Sequence, residues 1–480
     1  MMQYSSLDRI PNVMSRMLSE KDCAAIHHAA EKILARTGVV VESEKARDLL
    51  EEAGALVDGD CVRIPAGLVR KAISTVPDMI TLHDRNGQPA MDLGGDRCHY
   101  GTGSDTPSTM DPETREPVST TYETVRRFTR FTDALPNIDF VMSMGIAKDK
   151  GQASFVAQYA AMAMETTKPI VYTAQGMADM ESIYDMMKAL YGSDQEIRQR
   201  PRAMLYTEPV SPLRHTAKEI EMLMFCAEKG LPVTVPSGIN AGATAPVTFA
   251  GALALANAET LSAMVIHQLV CPGAPYMYGG NVTMMDMRTG NFPYAAPEFH
   301  MGFAAFADMA RYYNVPVWGL AGASDSKVLD AQAGAEAAYE LLMAEFSGNN
   351  LIHDVGYLNS GLISSMEMLL LCDEIISSVK RIARGIEISD ETLALDVIDE
   401  VGPMGQYLDT EHTVKHCRDN WAPRYFNRDQ REVWKLAGEK DMATDLNERV
   451  LSILESHKPE ALPENVVAAL EKIIEKRGNS

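Results

Sequence analysis

The sequence predicts an α/β protein: a (β/α)8 TIM barrel with an N-terminal helical and β extension and a C-terminal helical extension. Three observations lead there. From residue 99 onward, short apolar, β-rich runs alternate with longer stretches of helical periodicity. Successive runs start between 30 and 43 residues apart, the size of a βα repeat, and alternation of this kind implies parallel pairing, because parallel neighbours need a long crossover. The units extend from residue 99 to about 385, and a closed barrel of this type takes about 250 residues.

The elements follow in order. Residues 1–98 read as an extension. Lys21 to Thr37 and Ser43 to Gly54 carry apolar residues at helical spacing, with Gly38 and Gly54 as stops. CVRIP (61–65) and MITLHDRNGQ (79–88) are strand-like, and Asn86-Gly87 is a hairpin signal. The barrel, 99–385, takes its strands from His99–Gly101, Ile138–Gly145, Pro169–Ala174, Arg202–Thr207, Pro232–Pro236, Pro275–Gly279, Val315–Ala321 and Leu351–Leu358. Helices are expected between them: Thr121–Ala134, Gln152–Thr166, Met177–Leu190, Leu213–Lys229, Val247–Leu269, Pro297–Tyr312, Asp330–Ser347 and, last, Leu362–Ala383. Asp330 suits an N-cap, Gly348 a helix stop and Pro297 a first helical position. Residues 386–480 return to charged amphipathic helix, with pieces at Asp390–Glu400, Thr410–Asn420, Arg428–Gly438 and Glu464–Lys476. The competing architecture is an open doubly wound sheet, but HYGTGSDT after the first run lacks the third glycine of its phosphate fingerprint.

Composition narrows the class. The 480 residues are 46% hydrophobic and 23% charged, ordinary for a globular chain. The net charge of −22 argues against a nucleic-acid binder, since phosphate recognition needs surplus Lys and Arg. Seven cysteines, an odd number with no C-x-x-C pair, point to a reduced, cytoplasmic setting. The opening residues lack an apolar core and a cleavage pattern, so no secretory signal is expected. Two charge-free stretches, Gly230 to Ala258 and Thr260 to Met285, are broken by Pro, Gly, Asn and Thr and read as buried strand–helix segments. The 30 methionines are read mainly as core fillers.

The motifs of ATP hydrolysis, zinc proteolysis, serine hydrolysis and EF-hand calcium binding are absent, and no metal site is expected. Ser-x-x-Lys at Ser324–Lys327 and Ser377–Lys380 lacks its companion motifs. In a barrel the site forms from loops at the carboxyl ends of the strands. That rule selects Tyr100, Tyr206 with Glu208, Tyr278 and Asn281, Trp318, Asp325 and Lys327, and His353, Tyr357 and Asn359. Each has a plainer role. Tyr278 and Trp318 could be packing, His353 a structural histidine, Glu208 a loop acid, and Asp325 with Lys327 a surface pair. Their convergence on one mouth sets them apart. Tyr and Trp there suit a cation held against π faces, at ~0.5–2 kcal/mol per contact.

Two long segments carry a resemblance. LHDRNGQPAMDLGGDRCHYGTGSDTPSTMDPETREPVSTT (82–121) resembles the opening of the trimethylamine methyltransferase (MttB) superfamily, and GLAGASDSKVLDAQAGAEAAYELLMAEFSGNNLIHDVGYLNSGLISSMEMLLLCDEII (319–376) resembles its closing barrel units. The resemblance implies a (β/α)8 barrel that moves a methyl group from a methylated amine to the cobalt of a small corrinoid protein. The archetype carries pyrrolysine in the barrel. This chain has only standard residues, with the equivalent place expected within 357–361, so the non-pyrrolysine branch resembles it better. That branch implies a quaternary amine such as glycine betaine, proline betaine, carnitine or γ-butyrobetaine. It also implies a corrinoid (cobalamin-type) cofactor supplied by a partner protein, and the helical tail suggests a homo-oligomer. On this reading Tyr100, Tyr206, Tyr278, Trp318 and Tyr357 are candidate cage faces. His353, Asn281, Asn359 and Lys327 are candidate ligands for a substrate carboxylate. In-line attack on a quaternary ammonium needs no general base, which matches a mouth with few bases. Two other classes stay open. A betaine-sensing barrel would need the cage alone, and a lyase or isomerase would need a base or metal ligand at the mouth.

Overall fold

Parallel strands close into a cylinder in the computed structural model, which describes residues 14–479. Residues 1–13, on which the reading of the amino terminus rests, lie outside the described residues. The strands are β1 (His99–Tyr100), β2 (140–141), β3 (Ile170–Tyr172), β4 (Ala203–Tyr206), β5 (Val233–Thr234), β6 (Tyr276–Met284), β7 (Val317–Leu320) and β8 (Leu351–His353). Neighbours from β3 round to β8 pair in parallel, and β8 pairs with β1 through Leu351–His99 and Ile352–Tyr100. Closure falls to β2, which is reduced to two bridges, Gly101 to Phe140 and Val141 to Ile170. The run 138–145 was expected to be a full strand. It is shorter because Met142 N turns to Thr102 Oγ1 (2.7 Å) and Met144 adopts a left-handed conformation (φ 56°). Conversely, β6 outgrows its expected run because Ser237–Ala241, beyond β5, pairs alongside it in parallel.

Eight helices complete the units: α1 (Tyr122–Asp133), α2 (Ser154–Glu165), α3 (Met177–Tyr191), α4 (Ala217–Lys229), α5 (Phe249–Val270), α6 (Pro297–Tyr313), α7 (Ala331–Ser347) and α8 (Met366–Ala383). Their caps are those legible in the sequence: Asp330 accepts from Ala333 N, Pro297 opens α6, and Gly348 ends α7 at φ 70°. α5 is long and apolar enough to cross a membrane by length and composition, but 78% of its window is buried inside the protein. Its single acid, Glu259, is fully buried and accepts from Ser211 Oγ, Leu213 N and Ser237 Oγ. It ties the loops after β4 and β5 to the helix layer.

The amino-terminal helices and small sheet pack on the outside of the barrel, against α5 and the segment after β4, and a hairpin that follows them reaches the barrel floor. Helix Glu20–Arg36 starts on a Ser19/Asp22 capping box. A small sheet follows, made from Val39–Val41, Leu56–Asp58 and Cys61–Arg63, with Arg214–His215 added in parallel. The helix Ala66–Thr75 was not anticipated; Pro65 at its N-cap hid it. Next comes the hairpin Ile80–His83/Pro89–Leu93, turning at Asn86-Gly87 as expected. It enters the barrel from below. Leu82, Met91 and Leu93 are fully buried against Val171, Met204, Met277 and Leu351, and His83 N donates to Pro201 O just ahead of β4 (2.9 Å). The floor of the barrel is thus corked by apolar side chains, which leaves the carboxyl end as the place where sites form in this architecture.

Beyond α8 the expected helix at 390–400 is two pieces, Asp390–Leu393 and Leu395–Val401, broken where Ala394 turns left-handed (φ 51°). Glu411–His416 and Arg431–Leu436 are shorter than their expected spans. Helix Met442–Ser456 was overlooked, although Asp441 caps it and Leu446 and Val450 recur at helical spacing. Both are fully buried against the α1 and α8 core, and Asn447 Nδ2 donates to Glu367 Oε1 (2.8 Å). Glu464–Gly478 lies against α3, where Arg477 Nε meets Asp179 Oδ1 at 2.9 Å.

His267 on α5 is fully buried, and burial pushes its imidazole down to about 3 from 6.5. His300 on α6 is pushed down to about 4 for the same reason. The unfolded chain takes up these protons near its ordinary histidine range and the folded chain does not. Stability is therefore expected to fall as pH drops below about 6.5 and to keep falling toward the depressed values, by up to about 1.4 kcal/mol per pH unit per group. Thermal midpoints measured against pH check this, and His267→Gln should flatten the slope.

Candidate active site at the barrel mouth

Strand alternation decides what the mouth contains. Side chains at every second position point into the cylinder. Met204, Met277, Trp318 and Leu351 pack together inside it with Phe140 and Val171. The inward set on β4 therefore continues to Tyr206, on β8 to His353, and on β6 through Gly279 to Asn281. The outward set holds Tyr100, Tyr276 and Tyr278.

Two of the expected cage faces are corrected by this alternation. Tyr100 points away from the mouth. Its hydroxyl donates to Glu345 Oε2 on α7 (2.6 Å) and Lys380 of α8 lies 5.0 Å over its ring. Tyr278 points into the helix layer, donating to Asn257 Oδ1 (2.8 Å) and packing on Phe306 and Tyr313. Both are fully buried, and nothing in the local sequence sets which residue of Tyr276-Met277-Tyr278 faces in.

Tyr206, Trp318 and His353 do come together. Tyr206 stacks on Trp318 with ring centroids 4.9 Å apart and planes 29° apart; His353 lies 4.2 Å from Trp318 and 5.8 Å from Tyr206. Gly279 makes room for them, because a Cβ there would stand 2.6 Å from Trp318 Cβ. Tyr357 lies in the loop after β8, on a small sheet of Tyr357–Leu358, Ile363–Ser364, Ser108–Met110 and Pro117–Ser119, and among the described residues no ring contact links it to the stack. Its hydroxyl donates to Ser104 O (2.6 Å), bracing the loop after β1. Asn281 is half-buried and faces inward by register, its Oδ1 taken by Thr283 Oγ1 (3.2 Å). Asn359 is half-buried in a left-handed turn (φ 54°). Lys327 sits exposed on the rim, its Nζ folded back on Asp325 O (2.7 Å).

The mouth is more acidic than expected. Glu208, Asp354 and Asp105 follow β4, β8 and β1. Tyr206 Oη donates to Glu208 Oε1. Glu208 is exposed beyond the end of β4, yet protein crowds its carboxyl group. Burial holds its carboxyl above the usual range, and the charges of Asp354 and Asp105 add to the effect, opposed by the Tyr206 hydrogen bond and by His353. Burial likewise raises Asp105, which accepts from Gln158 Nε2 (3.2 Å). Asp354 Oδ1 lies 2.6 Å from His353 Nδ1. Tyr294, unremarked in the sequence, belongs here too. Asp354, Glu208 and Asp325 all push its phenol up, after burial. Asp325 fixes that segment by accepting from Tyr294 N (2.9 Å), Ala295 N (3.2 Å) and Ser360 Oγ (2.6 Å), so one carboxylate joins the loops after β6, β7 and β8. The signal for the acids was their place directly after strand ends; Tyr294 had none, because its loop is long.

A barrel of this architecture with convergent aromatic and acidic groups at its carboxyl end is an enzyme scaffold, and comparison with known proteins gives its class. The family model described as trimethylamine methyltransferase (MTTB) matches residues 3–480. The chain belongs to that family of methyltransferases. It is 35% identical over 460 residues to a trimethylamine methyltransferase MttB of Desulfitobacterium hafniense, covering 95% of this chain and 93% of the relative. It is 30% identical over 471 residues to a glycine betaine methyltransferase of the same species, covering 96% and 97%. Among solved structures, the monomethylamine methyltransferase MtmB of Methanosarcina barkeri superposes with a TM-score of 0.54 at 11% identity, covering 94% of this chain and 89% of that one, a likeness of fold.

Gly103 lies where the loop after β1 passes under the mouth. A Cβ there would be 2.1 Å from Asp354 Oδ1 and 2.2 Å from Tyr357 Oη. Gly103→Ala is expected to displace both and to cost about 1–3 kcal/mol by overpacking. A lowered thermal midpoint together with impaired methyl transfer would bear this out.

Proposed function

We propose that this chain transfers a methyl group from a quaternary amine to the cobalt(I) of a corrinoid carried by a separate protein. The observation that carries the reading is the stack of Tyr206, Trp318 and His353 at the open end of the barrel, walled by carboxylates. Aromatic faces and carboxylates are a donor set for an organic cation. Membership of the family and the 30% identical glycine betaine methyltransferase support a quaternary amine as donor.

The corrinoid supplies the nucleophile and accepts the methyl group. What the chain's own residues do is narrower. The stacked rings hold the ammonium by its charge, and the corked floor stops it from sinking further. One methyl group is then left pointing out of the mouth, the side from which an acceptor approaches. As the carbon–nitrogen bond breaks, its electron pair stays on nitrogen and a neutral tertiary amine leaves, so no side chain has to give or take a proton. The apolar layer beneath keeps water from the far side. Asp325 and Tyr357 act as braces that hold the loops around this opening. On this reading the corrinoid protein docks over the carboxyl-terminal mouth. Exposed apolar side chains at Ile386, Leu395, Met404, Leu408 and Leu436 support a homo-oligomer.

The test is to mix the chain with a reduced corrinoid protein, or free cob(I)alamin, and a panel of quaternary amines while following the cobalt spectrum. Conversion to the methylated spectrum is expected with at least one amine. Tight amine binding with no spectral change for any of them would instead favour a sensing barrel. Tyr206→Ala removes one face of the stack and is expected to weaken ammonium binding by about tenfold, the scale of one desolvated cation–π contact. Unchanged affinity would take Tyr206 out of the cage.

A further inference from the structure

Resting on the methyl-transfer reading above, we propose that the substrate is a quaternary ammonium with no carboxylate of its own, a tetraalkylammonium or choline-like cation, and that Glu208, Asp354 and Asp105 make this selection. The three acids come from three different strand ends: Glu208 and Asp354 touch the aromatic stack through Tyr206 and His353, and Asp105 lies close enough for its charge to act on Glu208. Among the described residues, no lysine or arginine forms an ion pair with any of them. The nearest basic partner is His353, whose Nδ1 stands 2.6 Å from Asp354 Oδ1. That contact lies outside hydrogen-bonding geometry, so Nδ1 has no hydrogen-bond partner although the residue is only 7% exposed. Stacked rings beside a buried imidazole and acids that no lysine or arginine neutralises mark a place that a cation completes.

The side-chain cation that would welcome a substrate carboxylate is not at this place: Lys327 is exposed on the rim and turned to Asp325 O. In glycine betaine the carboxylate is one carbon from the ammonium nitrogen, so it would share the acid-walled opening with the cation. Its repulsion from Glu208, Asp354 and Asp105 cancels much of what the ammonium gains. Choline has nearly the same shape with a neutral hydroxyl in place of that carboxylate, and it keeps the full attraction. Burial and mutual repulsion already raise Glu208 and Asp105, a tension that a bound cation relieves.

The test is calorimetric titration of the full-length chain with tetramethylammonium, choline and glycine betaine at fixed ionic strength and neutral pH, with no corrinoid present. Tetramethylammonium and choline are expected to bind at least tenfold more tightly than glycine betaine. Glu208→Gln and Asp354→Asn should each weaken choline by about tenfold and narrow its advantage over glycine betaine. Equal or tighter binding of glycine betaine by the wild-type chain, or no binding of any of the three, overturns the proposal. So does an unaltered preference in both variants. The wild-type comparison stands even if a variant fails to fold. The cobalt assay separates the two levels. Methyl transfer from glycine betaine but not from choline or tetramethylammonium sinks this proposal and leaves methyl transfer standing. Cation selectivity as expected, with no methyl transfer from any amine, sinks the methyl-transfer reading alone.

Discussion

Parallel closure is the constraint on which everything else depends. When all strands of a cylinder run the same way, every carboxyl terminus emerges at one rim, and residues far apart in sequence are delivered to one opening. Here that rim gathers Asp105, Glu208, Trp318 and His353 from the first, fourth, seventh and eighth units. The closure is thin at one point. The second strand contributes only the bridges at Phe140 and Val141, and Gly101 can lie beside Phe140 because it has no side chain; a Cβ would fall 2.4 Å from that ring. The weakest seam of the barrel is therefore also a place where a side chain would not fit.

The second constraint is the cork. A barrel of this size is filled by layers of side chains, and the amino-terminal hairpin supplies the lowest layer from outside the eight units. Its Leu82, Met91 and Leu93 meet the methionines of β4 and β6, whose flexible side chains adapt to an irregular plug. The extension is thus part of how the site is made. It gives the aromatic stack a dry floor, and a dry floor is what lets π faces and carboxylates act strongly on a cation.

Polar braces account for the rest of the mouth. Asp325, Gln158 and the Tyr357 hydroxyl each tie one loop to another, and several loop residues are held in left-handed conformations: Asp105 at φ 61°, Asp354 at φ 67°, Ser360 at φ 55°. Such conformations persist only where the surroundings over-determine them, and they cluster at functional openings. A buried Glu219–His215–Ser262 chain elsewhere, with contacts of 2.8 and 2.7 Å, has the order of a nucleophilic triad. All three residues are buried among α4 and α5, and the Ser262 hydroxyl is hydrogen-bonded to Glu259 O, so this chain is a structural brace.

The sequence by itself determined the alternation of strand and helix, the caps of α6 and α7, the Asn86-Gly87 hairpin and the strand-end positions from which a site could be built. These are local matters: periodicity, capping and turn chemistry act over a few residues and leave their mark there. It also held a signal for helix Met442–Ser456 that went unread. Only the tertiary structure decided that Tyr206, Trp318 and His353 face inward while Tyr100 and Tyr278 face the helices. A one-residue change of register exchanges the two faces of a strand, and register is set by the packing of the whole cylinder. The acidity of the opening was likewise decided by folding, because Asp105, Glu208 and Asp354 become neighbours only when distant strand ends share one rim.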